Sequence, residues 1–530
     1  MTDITHILTA VRRPEPREAE PDPDREAAEA LLQEQRDKID RLSPEQLKAL
    51  AESQLTARFK ADIQFDLPTK EIGLGGMFVR LAVDRFLYSV AERRWLAYNP
   101  ERGVWEPNEA AAREEVKRII AATIANARAN LRAVQPIGTP EQIAAANKAL
   151  QLAMGLQREK AIGATLDVAR TSPLLTVAGP QAFDLHLDRF AVANGVINLR
   201  TGELMPHAPG NMVRNASPVV YDPAAQCPRW EQFLNEVTKS DANYSAYLRD
   251  AVGYTLTGEV SDEVMFFMYG TGSNGKSVFV NVLSHIFGDY ATTIDSKMLM
   301  ASRHGDSREG ASPGMLSIVG KRLVLANEVE EGSKFSSNQV KTLAGSEAIS
   351  ARPLYGDPIV FWPNHKLWQR GNSKPIVTET TIGIWRRILL LPFNAQFSKK
   401  GLDPLLTHKL IAESPGILRW AVEGAKRWYA NGNRLSRPPL VVLKSTREYR
   451  NDSDLVGQWL GDRCRLDEPS VETLNTLIYA SYSDWANKNG YHPLSAAMLT
   501  KKLAERGVEV VRKRDGKHLV RFYVGNSVLL

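Results

Sequence analysis

The stretch "VMFFMYGTGSNGKSVFVNVLSHIFGDY", residues 264–290, joins an apolar run to a glycine-rich loop and then to an amphipathic segment. The apolar run "VMFFMY" predicts a buried β-strand. Beyond the loop, apolar residues recur at 278, 279, 282, 283, 286 and 287, which is the spacing of a helix packed on one face. Strand, loop and helix therefore follow one another in the order of a phosphate-binding loop.

The loop matches the pattern G-x-x-x-x-G-K-[ST] at every position. Its glycines leave room for backbone N–H groups around phosphate oxygens, and the helix that begins near Gly275 adds the positive end of its dipole. We expect Lys276 to reach the β- and γ-phosphates of ATP, and Ser277 to hold Mg²⁺. The predicted nucleotide-binding residues are Gly270, Thr271, Gly272, Ser273, Asn274, Gly275, Lys276 and Ser277.

Hydrolysis of a nucleotide also needs an acidic group for the metal or the attacking water. The stretch "KRLVLANEVEEG", residues 321–332, predicts a strand over Leu323–Ala326, and Glu328 follows it. Because open α/β sheets bind ligands at the carboxyl ends of their strands, we predict that Glu328 is this acid and a second metal ligand. The alternative is a strand followed by a solvated glutamate.

Length, charge and cysteine content narrow the class of protein. A chain of 530 residues predicts several domains. The two cysteines are far apart, which argues against a disulfide scaffold or a zinc site. No apolar run approaches the ~20 residues of a membrane span, and no signal-peptide pattern opens the sequence. We therefore expect a protein of the bacterial or phage-infected host cytoplasm with no membrane partner, and the net charge of +6 favours a polyanionic one.

The region before residue 176 predicts two parts. Residues 1–65 are rich in proline and charge and then in helix formers, which indicates a flexible and helical leader. Its Asp22 and Asp24 lie among prolines in a polar segment, unlike a catalytic carboxylate pair. Residues 66–175 predict an α+β module: a helix across 77–94, a strand–turn–strand across 94–108, and alanine-rich helices to 165. Trp95 and Trp105 flank the turn, either closing a small core or stacking on a base.

Residues 176–260 predict short strands and then two helices. Asn-Gly and Thr-Gly pairs in "FAVANGVINLRTGELMPHAPGNMV" are turn signals. The following segment carries Trp230, Phe233, Leu234 and Val237 at helical spacing and leads into the phosphate loop.

Beyond the loop, the order of motifs resembles that of superfamily 3 helicases of the phage and plasmid primase type. The motifs are "GTGSNGKS", "RLVLANEVEEG", "VKTLAGSEAISARPLYGDPIVFWPNHKLW", "QRGNSKP" and "GIWRRILLLPF". The group is also similar to the ATPase half of the poxvirus helicase-primase. The resemblance covers residues 180–400 and implies an AAA+-like ATPase domain over 261–440 behind a collar-like region at 176–260.

The resemblance also implies residue roles. Asn372 takes the place of the sensor residue that orients the attacking water. Arg386 and Arg387 resemble the arginine that reaches the nucleotide of a neighbouring subunit, one of the two being structural, and imply a hexameric ring. The segment 341–368 resembles a hairpin that projects into the DNA channel; a surface hairpin with solvated charges is the alternative. Its expected DNA contacts are Lys341, Arg352, Tyr355 and Lys366.

Residues 441–530 predict a separate domain of helices followed by a hairpin. Leu474, Ile478, Tyr482 and Trp485 have helical spacing, and a second helix starts with Ser495 as its N-cap. Two strands around an Asp-Gly turn complete a predicted winged helix. Basic residues dominate its end, either for DNA or as a solvated charge run of a protein-binding domain. The expected DNA contacts are Lys501, Lys502, Arg512, Lys513, Arg514 and Lys517.

These observations predict an α/β protein with a P-loop ATPase core, helical and α+β amino-terminal modules and a carboxyl-terminal winged helix. The expected function is an ATP-dependent helicase or translocase on single-stranded and forked DNA, moving 3′ to 5′, in replication of a phage, prophage or plasmid-like element. No primer synthesis is expected, so a separate primase or polymerase would serve it. Two other classes stay open: an ATP-switched origin-binding protein, and a kinase-like P-loop enzyme, against which the hairpin and the paired arginines argue.

Overall fold

The computed structural model describes residues 70–301, 313–328, 330–352, 358–379, 382–398, 403–465, 472–508, 510–515, 518–524 and 527–528. The helices are α1 Glu71–Ala82, α2 Glu109–Val134, α3 Pro140–Gly155, α4 Glu159–Ala169, α5 Pro228–Thr238, α6 Ala242–Leu256, α7 Lys276–Phe287, α8 Pro313–Leu316, α9 Ser337–Leu343, α10 Ile382–Trp385, α11 Leu406–Ala412, α12 Ser414–Ala430, α13 Leu440–Ser453, α14 Leu455–Arg463, α15 Asn475–Lys488 and α16 Ala496–Ala504. The strands are β1 Phe86–Ser89, β2 Arg94–Asn99, β3 Val104–Pro107, β4 Thr176–Val177, β5 Arg189–Val192, β6 Gly195–Asn198, β7 Leu204–Met205, β8 Met265–Tyr269, β9 Ala291–Ile294, β10 Leu323–Ala326, β11 Ile349–Ala351, β12 Ile359–Phe361, β13 Lys366–Gly371, β14 Ile388–Pro392, β15 Cys464–Arg465, β16 Glu472–Leu474, β17 Val510–Asp515, β18 His518–Val524 and β19 Ser527–Val528.

The chain divides into two compact units, and the first is helical. Its described residues are 70–81 and 114–169, which hold most of α1 and α2 and all of α3 and α4. Helix α3 begins with a capping box, in which the Thr139 hydroxyl and the Gln142 side chain each bond the other's backbone N–H. Helices α1 and α4 approach closely at Gly75, where a Cβ would lie 2.6 Å from Val168. The alanine-rich helices predicted from the sequence are confirmed.

The second unit, residues 82–113 and 170–530, opens with a small sheet of order β3-β2-β1-β4. Strands β2 and β3 confirm the predicted strand–turn–strand. The helix predicted across 77–94 is wrong beyond Ala82, because β1 forms there and pairs with both β2 and β4. Trp95 and Trp105 are buried, so they close the core of this module and are not available to stack on a base.

Short strands and two helices precede the phosphate loop, as the sequence predicts. Strands β5, β6 and β7 form an antiparallel sheet. In α5, Trp230, Phe233, Leu234 and Val237 are all buried. Helix α6 crosses α12 so closely that a Cβ on Gly424 would lie 2.2 Å from the backbone oxygen of Arg249. This close crossing joins the helices before the phosphate loop to those after the central sheet.

A parallel sheet of order β14-β8-β13-β10-β9 forms the centre of the second unit. Successive side chains of each strand enter opposite cores, as the two-residue period of a strand requires. Phe266 and Met268 of β8 join one core, whereas Met265 and Phe267 join the other. Both faces are therefore covered, which is why the strands read as continuous apolar runs. The expected α/β core is observed, with β8 and β10 at the predicted places.

The carboxyl-terminal elements form their own core. Helices α14, α15 and α16 pack around Trp459, Tyr482 and Trp485, and the strands form a sheet of order β16-β18-β17. The Ser495 hydroxyl accepts a hydrogen bond from the Met498 N–H and caps α16, as predicted. Leu474 ends β16 and does not begin the predicted helix, which starts at Asn475.

Two sequence expectations can be compared with the described part of the chain. None of its helices combines the length and the apolar character needed to cross a bilayer. Cys227 and Cys464 are both free thiols and both buried.

Candidate active site

The phosphate loop leaves the carboxyl end of β8 and enters α7 at Lys276. Two of its glycines are required by backbone geometry: Gly272 and Gly275 have φ of +105° and +86°, in the left-handed region. Gly270 is required by space, because a Cβ there would lie 2.2 Å from the Asn274 amide nitrogen and 2.3 Å from the Phe393 backbone oxygen. The predicted strand, glycine loop and helix are therefore present, with glycines where side chains would intrude.

The ammonium of Lys276 lies inside this loop. Its side chain is on a residue only 4% exposed, and Nζ donates to the Gly270 backbone oxygen at 2.5 Å, to Oδ1 of Asn372 at 2.9 Å and to Oδ1 of Asn274 at 3.3 Å. Burial lowers the pKa of Lys276, while the nearby Glu328 carboxylate opposes that change. All three acceptors are neutral oxygens, so the ammonium retains its charge for an anionic ligand.

Asn372 links Lys276 to Glu328. Its Oδ1 accepts from Lys276, and its Nδ2 donates to Oε1 of Glu328 at 2.9 Å. The sheet explains this meeting: β8, β13 and β10 are adjacent and parallel, and the three residues follow the carboxyl ends of these strands. Residues separated by almost one hundred positions are thus within hydrogen-bonding distance of a common amide.

A cavity of 430 Å³ opens onto the loop. Besides the loop, Glu328 and Asn372, its walls include residues of α5 and of the segment after β14, namely Arg229, Phe233, Glu236, Phe397, Asp403 and Leu406. The Phe397 N–H donates to the Ser273 backbone oxygen at 2.9 Å, which ties this second wall to the loop. The sequence analysis missed these walls, since nothing local in α5 distinguishes Phe233 from an ordinary core residue.

The donor set fits a magnesium-bound nucleoside triphosphate. The backbone N–H groups at the start of α7, the Lys276 ammonium and the exposed Ser277 hydroxyl border one cavity. The buried Nδ2 of Asn274 has no hydrogen-bond partner, which leaves a donor for an incoming phosphate oxygen. Hard oxygen ligands from Ser277 and Glu328 are those that Mg²⁺ prefers.

The paired arginines lie at the other edge of the sheet. Nη2 of both Arg386 and Arg387 contacts Oε2 of Glu263 at 2.7 Å. The Arg387 backbone oxygen accepts from the N–H of Met265, at the start of β8, whereas the phosphate loop follows the end of this five-residue strand. At ~3.3 Å per residue the arginines are roughly 16 Å from the loop of their own chain. Arg386 has 58% of its side chain exposed and Arg387 only 12%.

The comparisons with known proteins point to viral replication proteins. Residues 76–239 match the family model "D5 N terminal like", and residues 268–387 match a family of unknown function, DUF5906. The "Putative helicase L207/L206" of Acanthamoeba polyphaga mimivirus is 25% identical over 56% of this chain and 32% of its own length. The "Putative helicase 022R" of Frog virus 3 is 25% identical over 49% of this chain and 28% of its own. The chain is related to phage-type primase-helicases.

This chain spans about a third, or less, of the length of these two viral relatives. Among solved structures, the apo form of the NrS-1 C-terminal region covers 86% of this chain and 99% of its own, at 12% identity and a TM-score of 0.45. The relation to phage-type primase-helicases confirms the resemblance seen in the motifs.

The hairpin residues expected to contact DNA in a primase-helicase do not share one environment. The prediction for Lys366 is wrong: the residue is 2% exposed at the start of β13, its ammonium bonds the backbone and hydroxyl oxygens of Thr257, and it lies over the Tyr254 ring. Lys341 is partly exposed and ion-paired with Glu379 at 2.7 Å. Arg352 is exposed at the end of β11, and Tyr355 lies outside the described residues.

The basic residues of the carboxyl-terminal domain also divide. Lys501 and Arg512 are exposed. The prediction for Lys502 is wrong, because this residue is buried and its ammonium pairs with Glu505 at 3.1 Å. Lys513 and Arg514 belong to β17, and Lys517 lies outside the described residues.

Proposed function

We propose that this chain is an ATP-dependent, ring-forming DNA helicase or translocase that serves replication of a phage, prophage or plasmid-like element. The observation that carries the proposal is the chain of hydrogen bonds from Lys276 through Asn372 to Glu328, at the mouth of a glycine loop. A structural lysine would gain nothing from burial among neutral oxygens beside an empty-handed amide donor, whereas a triphosphate site needs both.

Each residue of this group would have a distinct part in hydrolysis. Lys276 would neutralise the β- and γ-phosphates, and Ser277 together with Glu328 would hold Mg²⁺, which supplies positive charge to the phosphate oxygens. Glu328 would also accept hydrogen bonding from the attacking water, with Asn372 fixing the orientation of its carboxylate. Phe233 and Phe397 give the cavity an apolar side on which the adenine ring can pack.

The position of Arg386 favours assembly into a ring. An exposed arginine about one strand length from its own phosphate loop is useful to hydrolysis only if it reaches the loop of another copy. A contact between two different surfaces of identical chains closes into a ring when its rotation permits, and a hexamer is the form that relatives of this motif set suggest. Movement 3′ to 5′ along one strand is part of the same proposal.

The carboxyl-terminal domain is proposed to be a winged helix that binds DNA through Lys501 and Arg512. Helix α14, strand β16, helices α15 and α16 and then the β17–β18 hairpin follow in the order of that fold. The residues before 176 carry buried apolar cores with no pair of carboxylates suited to polymerisation among those described. We therefore propose that primer synthesis belongs to a separate primase or polymerase.

The test is steady-state ATP hydrolysis with and without single-stranded DNA. Lys276→Ala should abolish hydrolysis, and Glu328→Gln should lower it by ~10²–10⁴-fold while nucleotide binding persists, because the amide keeps the shape but not the basicity. Glu331→Gln is the matched control, since this exposed acid is three residues away and does not line the cavity. Normal turnover in Glu328→Gln, or slow hydrolysis that DNA does not stimulate, would favour an ATP switch over a motor.

A further inference from the structure

A second large cleft lies in the same unit, away from the phosphate loop. It encloses 920 Å³ between the β1–β2 turn, the segment 178–181, the segment 316–321 before β10, and the start of β12. Because segment 316–321 precedes β10, the cleft lies at the amino-terminal edge of the central sheet, opposite the nucleotide site. None of its lining residues belongs to the nucleotide cavity.

The inner wall of this cleft carries a cation with neutral partners. Nζ of Lys321 donates to Oδ1 of Asn215 at 2.9 Å and to the Asp289 backbone oxygen at 2.5 Å. The Asp289 carboxylate is itself engaged by Arg102 at 2.6 Å. The buried Asp184 carboxyl accepts from Asn215, and burial raises the pKa of this carboxyl. The ammonium is thus held by dipoles, and an incoming anion would meet a positive wall.

The outer rim adds two further cations. Arg93 and Arg94 are exposed on the β1–β2 turn, and Arg93 has the left-handed φ of +53° that turns the chain there. The other charges of the lining cancel, because both Nη atoms of Arg214 bond the Glu92 carboxylate, at 2.5 and 2.7 Å. The lining of the cleft therefore combines three cations, Arg93, Arg94 and Lys321, with one internally neutral pair.

An apolar surface lies beside these cations. Val360 of β12 lines the cleft and is 60% exposed, and Trp362, two residues later, is 70% exposed. Phe361 between them is buried, as alternation along a strand requires. A large exposed indole next to a row of cations is the combination that single-stranded nucleic acid uses, phosphates on the cations and a base on the ring.

We propose that this cleft binds the backbone of a single DNA strand, with phosphates on Arg93, Arg94 and Lys321 and a base stacked on Trp362. The proposal rests on the proposed function, which places the β11–β12 hairpin on DNA, and it extends the DNA path from that hairpin to the small amino-terminal sheet. A free nucleotide would satisfy the cations but would make no use of the open, extended rim.

The experiment measures binding of a fluorescein-labelled oligo(dT) by anisotropy between 50 and 200 mM salt. The double variant Arg93→Gln/Arg94→Gln should weaken binding on the order of tenfold at the low salt concentration. Each lost contact to a single strand lowers the salt slope by ~0.7, so two contacts should make the gap from wild type shrink by roughly sevenfold across this range. Trp362→Ala should weaken oligo(dT) binding by roughly fivefold or more, but leave competition by inorganic polyphosphate unchanged.

The matched control is Arg128→Gln/Arg132→Gln, which removes the same charge from two exposed arginines of α2. If this control and the cleft variant bind oligo(dT) equally, with equal salt slopes, the cleft is not on the DNA path. If Trp362→Ala weakens polyphosphate and oligo(dT) alike, the stacking part is refuted. Wild-type protein that neither hydrolyses ATP nor binds oligo(dT) would instead refute the proposed function, so the two failures are distinguishable.

Discussion

Arg386 and Arg387 are neighbours that contact the same carboxylate, yet their replacement by alanine should have opposite effects on stability and turnover. Arg387 is 12% exposed, contacts Glu263 at 2.7 Å and donates to the Gly383 backbone oxygen at 2.9 Å. Arg386 is 58% exposed and contacts Glu263 alone among these two acceptors. The buried arginine is suited to holding the fold, and the exposed one to reaching another subunit.

The expected magnitudes follow from these contacts. Arg387→Ala removes two charge-assisted hydrogen bonds in a partly buried place, about 2–3 kcal/mol of stability, because Glu263 keeps Arg386 as a partner. This corresponds to a fall of roughly 5 °C in the melting temperature. Arg386→Ala removes an exposed ion pair worth at most about 1 kcal/mol. If Arg386 stabilises the transferred phosphoryl of a neighbour, its loss lowers turnover by ~10³-fold, which is about 4 kcal/mol of barrier.

The assay combines thermal melting with DNA-stimulated ATP hydrolysis at 20 °C for both variants. Arg387→Ala should melt earlier but retain most of its hydrolysis at this temperature, and Arg386→Ala should melt normally but be nearly inactive. The reverse result, an inactive Arg387→Ala of normal stability beside an active Arg386→Ala, would refute the assignment.

Three further outcomes test the fold and the corrected DNA contacts. Burial lowers the pKa of His365 to about 4, so the unfolded chain binds a proton first and stability should fall by roughly 2 kcal/mol from pH 7 to pH 5; His365→Gln, which keeps a donor for the Leu343 oxygen, should abolish that difference in denaturant titrations. Gly424→Ala should destabilise by about 1–3 kcal/mol because its Cβ meets the backbone of α6, whereas Gly461→Ala, with open space around it, should be neutral or better in the same titration. Lys366→Met should leave oligo(dT) affinity unchanged because the side chain is buried, and Arg352→Ala should weaken it; equal losses would contradict the burial argument.

The sequence predicts what depends on local pattern. Strand β8, the glycine loop and α7 are specified by a continuous apolar run, a spacing of glycines and a helical stripe, all within 27 residues. The strand before Glu328 has the bounds predicted for it, because an apolar run that ends in polar residues fixes both of its ends. The site residues that meet at Asn372 were identified through the motif resemblance, and the parallel order of the strands gives the physical reason for their meeting.

The misses are all decided by distant partners. Residues 86–89 have apolar spacing compatible with a helix, and only pairing with β2 and β4 makes them a strand. Lys366 is buried because Thr257 and Tyr254, more than one hundred positions earlier, supply oxygens and a ring face. Phe233 faces the cavity only because the segment around Phe397 closes over the loop. Such long-range contacts leave no signal in the local sequence.

The central claim is that each active site combines the phosphate loop of one copy with Arg386 of another, and a mixing measurement tests it most directly. Lys276→Ala and Arg386→Ala should each be inactive alone. In an equimolar mixture, half of the loops are intact and half of those face an intact arginine, so about a quarter of the wild-type ATP hydrolysis should return whatever the number of subunits. A mixture that stays as inactive as its components would contradict the account.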